Sequence, residues 1–374
     1  MEALGALVID NGSDTIKAGF SGKHSPHTVF PTVVAHRDAA IMDSCSKTVF
    51  VGDEAVVRRD RLSLKSPIQQ GIVHSWDDME QIWQHTFDNI LYVNTQEHPI
   101  LLTESPVNPT GNLEKMIEIM FETFSVPAMY AATPPVLALL ASGRTGGVVL
   151  DVGHGASHAM PIYEGYRVRY ALEHIDFAGQ HLSEYIIKLL HKRGYSYKSA
   201  EDRDTVREIK EKLAYVALDF DAEMEKIKGK VLSGKHFKLP DGRAVKIDNE
   251  RLLFQCPELL FRPATEFGTT AVGVHRAIHN AIMKVGADFR SKCYNNIILC
   301  GGSTCFRGMR TRLAEEMAAI APATEKIEVV APPGREYSAW VGGSILSALD
   351  IPIGWIHMEE YKDTGRSIAG RKCI

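Results

Sequence analysis

The sequence predicts an α/β fold made of two related domains. Residues 6–13 read ALVIDNGS and residues 147–155 read GVVLDVGHG, so an apolar run twice ends in an aspartate followed two positions later by a glycine. Candidate strands alternate with candidate helices, which is typical of α/β layers. A length of 374 residues is more than one simple core supports, which favours two domains.

Bulk composition excludes several classes of protein. An apolar share of 45% and a charged share of 24% are ordinary for a globular chain, and the net charge of -4 does not indicate nucleic-acid binding. No apolar run reaches the roughly 20 residues that span a bilayer. The start lacks a positive n-region, so residues 6–9 are interpreted as a strand and not as a signal peptide. The six cysteines form no C-x-x-C pair, which argues against zinc and favours a reducing compartment.

The elements of the first half follow from periodicity and turn signals. We predict a hairpin of two strands over 4–10 and 15–20, then a turn over 22–26 and an exposed loop over 36–48. Ser75 caps a helix whose apolar positions continue to Leu91 with a period of 3.6. A strand over 99–103, a helix over 112–124 and a short helix from Pro134 to Ser142 complete this half.

The second half repeats the plan. A strand over 147–150 precedes the second aspartate–glycine turn, and a strand over 159–163 returns. Predicted helices cover 179–192, 202–218, 274–285, 308–320 and 337–349. A strand over 295–300 runs into Gly301 and Gly302, a third glycine turn at the carboxyl end of a strand, where α/β folds bind ligands. Residues 225–238 are rich in basic side chains and are interpreted as a solvated insertion.

Each aspartate–glycine turn suits phosphate and magnesium. Glycines let backbone N–H groups approach phosphate oxygens, and Mg2+ is often held by one or two carboxylates with its water retained. Finding the turn twice, about 140 residues apart, suggests a duplicated domain that closes on one nucleotide. The alternative is a pair of tight strand turns with no ligand.

Short motifs in a fixed order make the chain resemble actin over nearly its whole length. They are DNGS at 10–13, KAGF at 17–20, VGDEA at 51–55, GIVHSWDDM at 71–79, MFETF at 120–124, PIYEGY at 161–166, KLAYVALDF at 212–220, SAWVGGSIL at 338–346 and RKC at 371–373. The resemblance implies the actin-like ATPase fold, with two related ribonuclease-H-like domains around a nucleotide cleft. The first domain would comprise 1–141 and 337–374, with a loop subdomain at about 32–69. The second would comprise 142–336, with a subdomain at about 180–270.

The resemblance also implies a site for ATP or ADP with Mg2+ or Ca2+. Asp10 and Asp151 would hold the metal through water. The first phosphate turn would be Gly12, Ser13, Asp14, Thr15 and Lys17, and the second Gly153, His154, Gly155 and Ala156. The residues that would frame the nucleoside are Gly179, Arg207, Lys210, Glu211, Gly301, Gly302, Ser303, Phe306 and Glu336. For Arg207, Lys210 and Glu211, which share a helical face, a solvated surface is the alternative.

The chain departs from actins at the predicted catalytic position. Actins carry a glutamine that helps to place the attacking water, and here the aligned residue is Pro134, whose side chain has no donor or acceptor. Pro134 also suits the first position of a helix. His158 and Asp151 remain as catalytic candidates, although a structural hydrogen-bonding role for His158 is an equal alternative. We therefore expect slow or differently organised ATP hydrolysis.

Further departures concern the nucleotide and assembly. His154 replaces an aspartate of actins, Asp14 a glycine, and Glu336 the lysine that packs by the adenine. The loop that grips the next actin subunit is two residues shorter here but keeps an apolar tip at residues 41–42. The plug loop over 264–272 retains only Phe267 among large apolar residues.

Three alternative functions are compatible with the sequence. The first is a filament-forming, cytoplasmic cytoskeletal protein, which would self-associate and bind profilin-like or gelsolin-like partners at a groove formed by Leu140, Leu346 and Leu349. The second is a non-polymerising actin-related subunit of a larger complex that keeps ATP as a structural ligand. The third, a small-molecule kinase, lacks an evident substrate-specific insertion. No nucleic-acid partner and no membrane span are predicted.

Overall fold

The computed structural model describes residues 5–37, 48–192, 200–228, 235–238, 244–247, 250–267, 270–349 and 354–372. Most of the loop predicted over 36–48, including its apolar tip, lies outside these residues, as does part of the insertion predicted over 225–238. Two compact units make up the chain. Unit 1 comprises Met1–Thr145 and Tyr337–Ile374, and unit 2 comprises Gly146–Glu336.

The strands within the described residues follow in chain order. They are β1 (Leu7–Asn11), β2 (Thr15–Phe20), β3 (Thr28–Pro31), β4 (Val34–His36), β5 (Val49–Val51), β6 (Leu64–Lys65), β7 (Ile68–Gln69), β8 (Ile72–Val73), β9 (Ile100–Thr103), β10 (Ala128–Ala132), β11 (Gly147–Val152), β12 (Ser157–Tyr163), β13 (Tyr166–Arg167), β14 (Glu173–Ile175), β15 (Lys235–Lys238), β16 (Ala244–Ile247), β17 (Ile297–Cys300), β18 (Val329–Val330) and β19 (Ile356–His357).

The α-helices within the described residues also follow in chain order. They are α1 (Asp53–Val57), α2 (Trp76–His85), α3 (Thr110–Glu118), α4 (Pro134–Ala141), α5 (Gly179–His191), α6 (Ala200–Leu213), α7 (Phe220–Ile227), α8 (Arg251–Glu258), α9 (Ala264–Phe267), α10 (Val274–Lys284), α11 (Ala287–Tyr294), α12 (Met309–Ile320), α13 (Ser338–Ala348), α14 (Met358–Thr364) and α15 (Ala369–Lys372).

The main sheet of unit 1 has the strand order β19-β10-β9-β1-β2-β3. Central β1 pairs antiparallel with β2, with Asp10 opposite Lys17, and parallel with β9. One face of β1 packs through Leu7 and Ile9 into the larger core of the unit. The other face is covered by α13, whose Trp340 Nε1 donates to the Val8 carbonyl oxygen at 3.0 Å. The hairpin predicted from the first 20 residues is confirmed.

Helix α13 lies directly against α4. A Cβ added to Gly342 would overlap the Leu137 carbonyl and come to 2.8 Å from the Leu137 Cα. Only glycine therefore allows this approach of two helix backbones, because any side chain would force them apart. This close approach holds α13 against α4.

The main sheet of unit 2 repeats this plan, with the order β13-β12-β11-β17-β18 and β14 paired to β12. Central β11 pairs antiparallel with β12, with Asp151 opposite His158, and parallel with β17, with Asp151 opposite Cys300. In each unit an aspartate of the central strand thus lies beside an antiparallel return strand and a parallel strand from further along the chain. The α/β class predicted from the sequence is confirmed.

Two of the predicted α-helices continue as π-helix over their last residues. Helix α2 passes into a π-helical turn over Thr86–Leu91, and α3 passes into another over Ile119–Thr123. The predicted cap at Ser75 is wrong in one respect. Its hydroxyl makes no capping bond to the backbone and instead donates to Asp78 Oδ2 at 2.9 Å.

The prediction of a helix to Leu218 is also wrong, because α6 ends at Leu213. Tyr215 N donates to the Leu253 carbonyl oxygen at 3.0 Å, and Val216 N donates to the Arg307 carbonyl oxygen at 2.9 Å. These two donors are bonded to other segments and are not available for the helix. Among the described residues, no helix combines the length and apolarity needed to cross a membrane.

Candidate functional site

The carboxylate of Asp10 is held in place at the end of β1. It is 7% exposed, and its Oδ1 accepts a hydrogen bond from the Thr103 hydroxyl at 2.8 Å. Lys17 Nζ lies 3.2 Å from Asp10 Oδ2. The lysine comes from the facing position of β2, and the threonine from the carboxyl end of β9. Two neighbouring strands therefore orient one carboxylate.

Thr32 makes two hydrogen bonds to the turn that follows Asp10. The Thr32 hydroxyl donates to the Gly12 carbonyl oxygen at 2.7 Å, and Thr32 N donates to the Asp14 carbonyl oxygen at 2.8 Å. A Cβ added to Gly12 would lie 2.9 Å from Lys17 Nζ and 2.5 Å from the Thr15 carbonyl oxygen. Glycine thus leaves room for the ammonium group of Lys17 beside the turn. An ammonium group and glycine backbone in one place suit a phosphate.

Ser13, which the sequence assigned to the phosphates, also has a structural bond. Its hydroxyl oxygen accepts from Gly71 N at 3.1 Å. A hydroxyl that accepts one bond retains a proton to donate, so this bond is compatible with a ligand.

In unit 2, three predicted glycine positions come together. The Gly153 carbonyl oxygen accepts from Gly179 N at 2.9 Å and from the Ser303 hydroxyl at 3.0 Å. Gly301 has φ of +85°, and a Cβ on it would lie 2.7 Å from Asp151 Oδ1 and 2.5 Å from the Val152 carbonyl oxygen. A larger residue at 301 would therefore displace the Asp151 carboxylate as well as strain the backbone.

The nucleoside residues predicted on α6 do not share one environment. Lys210 is 4% exposed, and its Nζ donates to the Gly179 carbonyl oxygen at 3.1 Å and to the Ser183 hydroxyl at 3.0 Å. Arg207 pairs with Asp204 at 3.4 Å, whereas Glu211 is exposed. Lys210 therefore hydrogen-bonds the first turn of α5, and Gly179 of that turn contacts the second glycine turn. The three residues lie within one turn of α6, as the spacing predicted, but they differ in burial.

Phe306, also predicted at the nucleoside, is buried and belongs to the hydrophobic core of unit 2. Thr103 and Thr32 position the first turn but were not predicted as site residues from the sequence. Thr103 lies 93 residues from Asp10. The one available signal was its place at the end of the strand predicted over 99–103.

His158 is a buried polar side chain on β12, close to the second turn. It is 2% exposed, and among the described residues its Nε2 has no hydrogen-bond partner. Its ring centroid lies 5.2 Å from that of His174 on β14. Burial, together with the neighbouring His174, lowers the pKa of His158 to about 4. The imidazole is therefore neutral at pH 7 and can accept a hydrogen bond.

This burial predicts acid sensitivity. Between the ordinary pKa of about 6.5 and the folded value of about 4, the unfolded chain binds a proton at His158 that the folded chain does not. Stability should therefore fall as the pH drops through this window, by about 3 kcal/mol from this group. Urea titrations at several pH values should show a shallower loss in His158→Gln, but an unchanged loss in the exposed-residue control His24→Gln. Equal slopes in wild type and His158→Gln would contradict the assignment.

The fold and these turns define a class of α/β proteins in which two units each present a strand-borne carboxylate next to a glycine turn. Such a plan serves phosphate binding. The family model described as Actin matches residues 1–374, the whole sequence. The chain belongs to the actin family, and its fold is the actin-like ATPase fold. Actin-family proteins generally bind a nucleotide and a divalent cation, associate with themselves or with actin-binding partners, and are typically cytoskeletal.

Proposed function

We propose that this protein binds ATP or ADP with Mg2+ and assembles into filaments in a nucleotide-dependent way. The observation that supports this most is the arrangement at Asp10, Gly12 and Lys17. It combines an oriented carboxylate, an ammonium group and a glycine position with no room for a Cβ. The glycine positions beside Asp151, at Gly153 and Gly301, support phosphate binding at the second turn as well.

The donor set fits a hydrated divalent cation. Asp10 and Asp151 would hold Mg2+ or Ca2+ through water, because Mg2+ keeps several waters and takes few carboxylates. The bound cation would supply charge neutralisation for the phosphates. Lys17 would add a point charge, and the glycine turns at Gly12 and Gly153 would add backbone donors.

The proposed hydrolysis is slow. Pro134 occupies the first position of α4 and supplies no hydrogen-bonding side chain there. His158 Nε2, neutral and without a protein partner among the described residues, would accept a hydrogen bond from a water. One acceptor orients a water less well than an acceptor together with an amide.

Pro134→Gln tests this arrangement. We expect phosphate release with Mg-ATP to rise by about tenfold or more, because the amide can orient the attacking water. Pro134→Ala, which removes the ring without adding an amide, should release phosphate at the wild-type rate. A fast wild-type rate, or one that the glutamine leaves unchanged, would show that another group places the water.

Three residues favour the second candidate, a non-polymerising actin-related subunit with structural ATP. Pro134 lacks the amide, Asp14 adds a negative charge to the first turn, and Glu336 adds one at the nucleoside turn. A nucleotide that is bound and not turned over would stabilise the native state by mass action.

One experiment distinguishes the two candidates. The protein at tens of micromolar with Mg-ATP is centrifuged and imaged by electron microscopy, and its melting temperature is measured with and without the nucleotide. Filaments together with nucleotide stabilisation support the first proposal. Stabilisation without polymer supports the second. Asp10→Asn should weaken the stabilisation in either case, and a chain that Mg-ATP does not stabilise would contradict both.

We further propose a cytoplasmic, cytoskeletal protein with partners at the surface of α4 and α13. Leu140 and Leu346 are half-buried there, and Leu349 is 46% exposed just after α13. Exposed apolar side chains between two packed helices suit the apolar face of a profilin-like or gelsolin-like partner.

A further inference from the structure

The turn after β17 is bonded to the segment that ends at Glu336. Gly301 N donates to the Arg335 carbonyl oxygen at 3.2 Å. The Arg335 guanidinium donates to the Thr304 carbonyl oxygen at 2.7 Å and to the Thr304 hydroxyl oxygen at 3.1 Å. These bonds hold the backbone before Glu336 against the 3-10 turn over Gly302–Thr304. The fold therefore sets the position of Glu336.

The Glu336 carboxylate lies at the surface end of this turn. Its Oε2 accepts a hydrogen bond from Cys305 Sγ at 3.4 Å. Cys305 is exposed and Glu336 is half-buried. In the part of the chain that the structure describes, no lysine, arginine or histidine forms an ion pair with Glu336. An ionised carboxylate accepts hydrogen bonds and donates none, so this position suits a ligand edge that carries donors.

Beside the carboxylate, the backbone is open. Gly302 is exposed, and a Cβ built on it meets no atom within 4 Å. Among the described residues, no atom therefore occupies the space where a side chain at position 302 would begin. A planar ring can approach closely where a glycine carries no side chain.

The two purines differ in what they offer to a carboxylate. Guanine presents its N1–H and its N2 amine as adjacent donors, which match the two carboxylate oxygens. Adenine presents one amine next to a ring nitrogen that is an acceptor, and a carboxylate repels an acceptor. A site built to hydrogen-bond a group discriminates against the analogue that lacks it.

We propose that Glu336 is a specificity-determining residue that admits guanine nucleotides, so that GTP binds at least as tightly as ATP. The inference rests on the proposed function, because it requires a nucleoside at the turn from Gly301 to Phe306. On this proposal, Glu336, which stands where actins have a lysine, changes which base the site prefers.

The test is a competition titration on the full chain. Mg-ATP and Mg-GTP each displace a fluorescent ADP analogue from wild type, Glu336→Lys, Glu336→Gln and Glu315→Lys. The readout is the ratio of the two Kd values, because the phosphates are common to both nucleotides. We expect Glu336→Lys to shift the ratio toward ATP by roughly tenfold or more, and Glu336→Gln to shift it less in the same direction. Glu315→Lys makes the same charge change at an exposed position of α12 and should leave the ratio unchanged.

Two results would overturn the inference while leaving nucleotide binding intact. One is a wild type that prefers ATP by more than roughly tenfold, and the other is a ratio that both Glu336 variants leave within about twofold of wild type. A wild type that binds neither nucleotide would overturn the proposed function together with this inference.

Discussion

Arg312→Met is expected to lower the free energy of unfolding by about 3–5 kcal/mol. The Arg312 side chain is 4% exposed. Its guanidinium donates to both carboxylate oxygens of Glu258, at 3.1 and 3.2 Å, and to Glu316 Oε1 at 2.8 Å. It also donates to the Ala217 carbonyl oxygen at 2.7 Å. Methionine fills much of the volume but removes the hydrogen bonds that Arg312 donates to these acceptors.

The cost comes mainly from Glu258. Burial raises the pKa of this carboxyl, and Arg312 opposes the rise by bonding to its charged form. Without the guanidinium, a buried carboxylate loses most of its compensation, although Arg262 Nε remains 3.1 Å from Oε1. The double variant Arg312→Met/Glu258→Gln should therefore recover part of the loss, since it removes the buried charge as well.

Urea unfolding followed by circular dichroism measures this effect. Tryptophan fluorescence shows which unit loses stability, because all four tryptophans belong to unit 1. Arg312 belongs to unit 2. Glu315→Met, at an exposed position of the same helix, should cost less than about 1 kcal/mol. A cost below about 1 kcal/mol for Arg312→Met would show that the network contributes little.

Gly342→Ala is expected to lower the stability of unit 1 by about 3 kcal/mol. The added methyl group overlaps the Leu137 carbonyl, so α13 and α4 must separate. Separation would also disturb Trp340, which lies two residues before the substitution. Its indole Nε1 donates a hydrogen bond to the Val8 carbonyl oxygen. The fluorescence transition should therefore shift to lower urea.

Gly111→Ala is the matched control for this substitution. Gly111 lies in α3, and a Cβ there meets nothing within 4 Å. Alanine should stabilise the helix by about 0.5–1 kcal/mol, because glycine loses more conformational freedom on folding. Opposite signs for the two substitutions are expected. Destabilisation of equal size at both positions would show that the loss at position 342 does not come from the close approach of α13 to α4.

The sequence predicted those elements whose signal is local. The hairpin β1–β2 and the two aspartate turns follow from an apolar run, a carboxylate and a glycine, all within about 15 residues. Strands β10 and β19 were missed, because two to five residues show no clear alternation. The end of α6 was misplaced because hydrogen bonds from Tyr215 and Val216 to distant segments decide it.

The candidate site divides in the same way. Motif and resemblance were enough to select Asp10, Gly12 and Lys17, which the structure brings together. They were not enough to separate Lys210, which turns inward, from Glu211, which is exposed, because one position on a helix changes the side chain's surroundings. Phe306 was assigned to the nucleoside although it packs in the core. An aromatic side chain after a glycine turn is compatible with either role.

The division of the chain between the two units has a consequence for synthesis on the ribosome. Unit 2 is one continuous segment, whereas unit 1 needs Tyr337–Ile374 to cover β1 and to supply β19. A nascent chain that has emerged only to Glu336 therefore contains everything that unit 2 requires, but it leaves the Val8 side of β1 without its Trp340 partner. Unit 1 therefore cannot complete its folding until Tyr337–Ile374 has been synthesised. Until then, the emerging chain exposes the apolar surface of β1 that Trp340 covers in the folded protein.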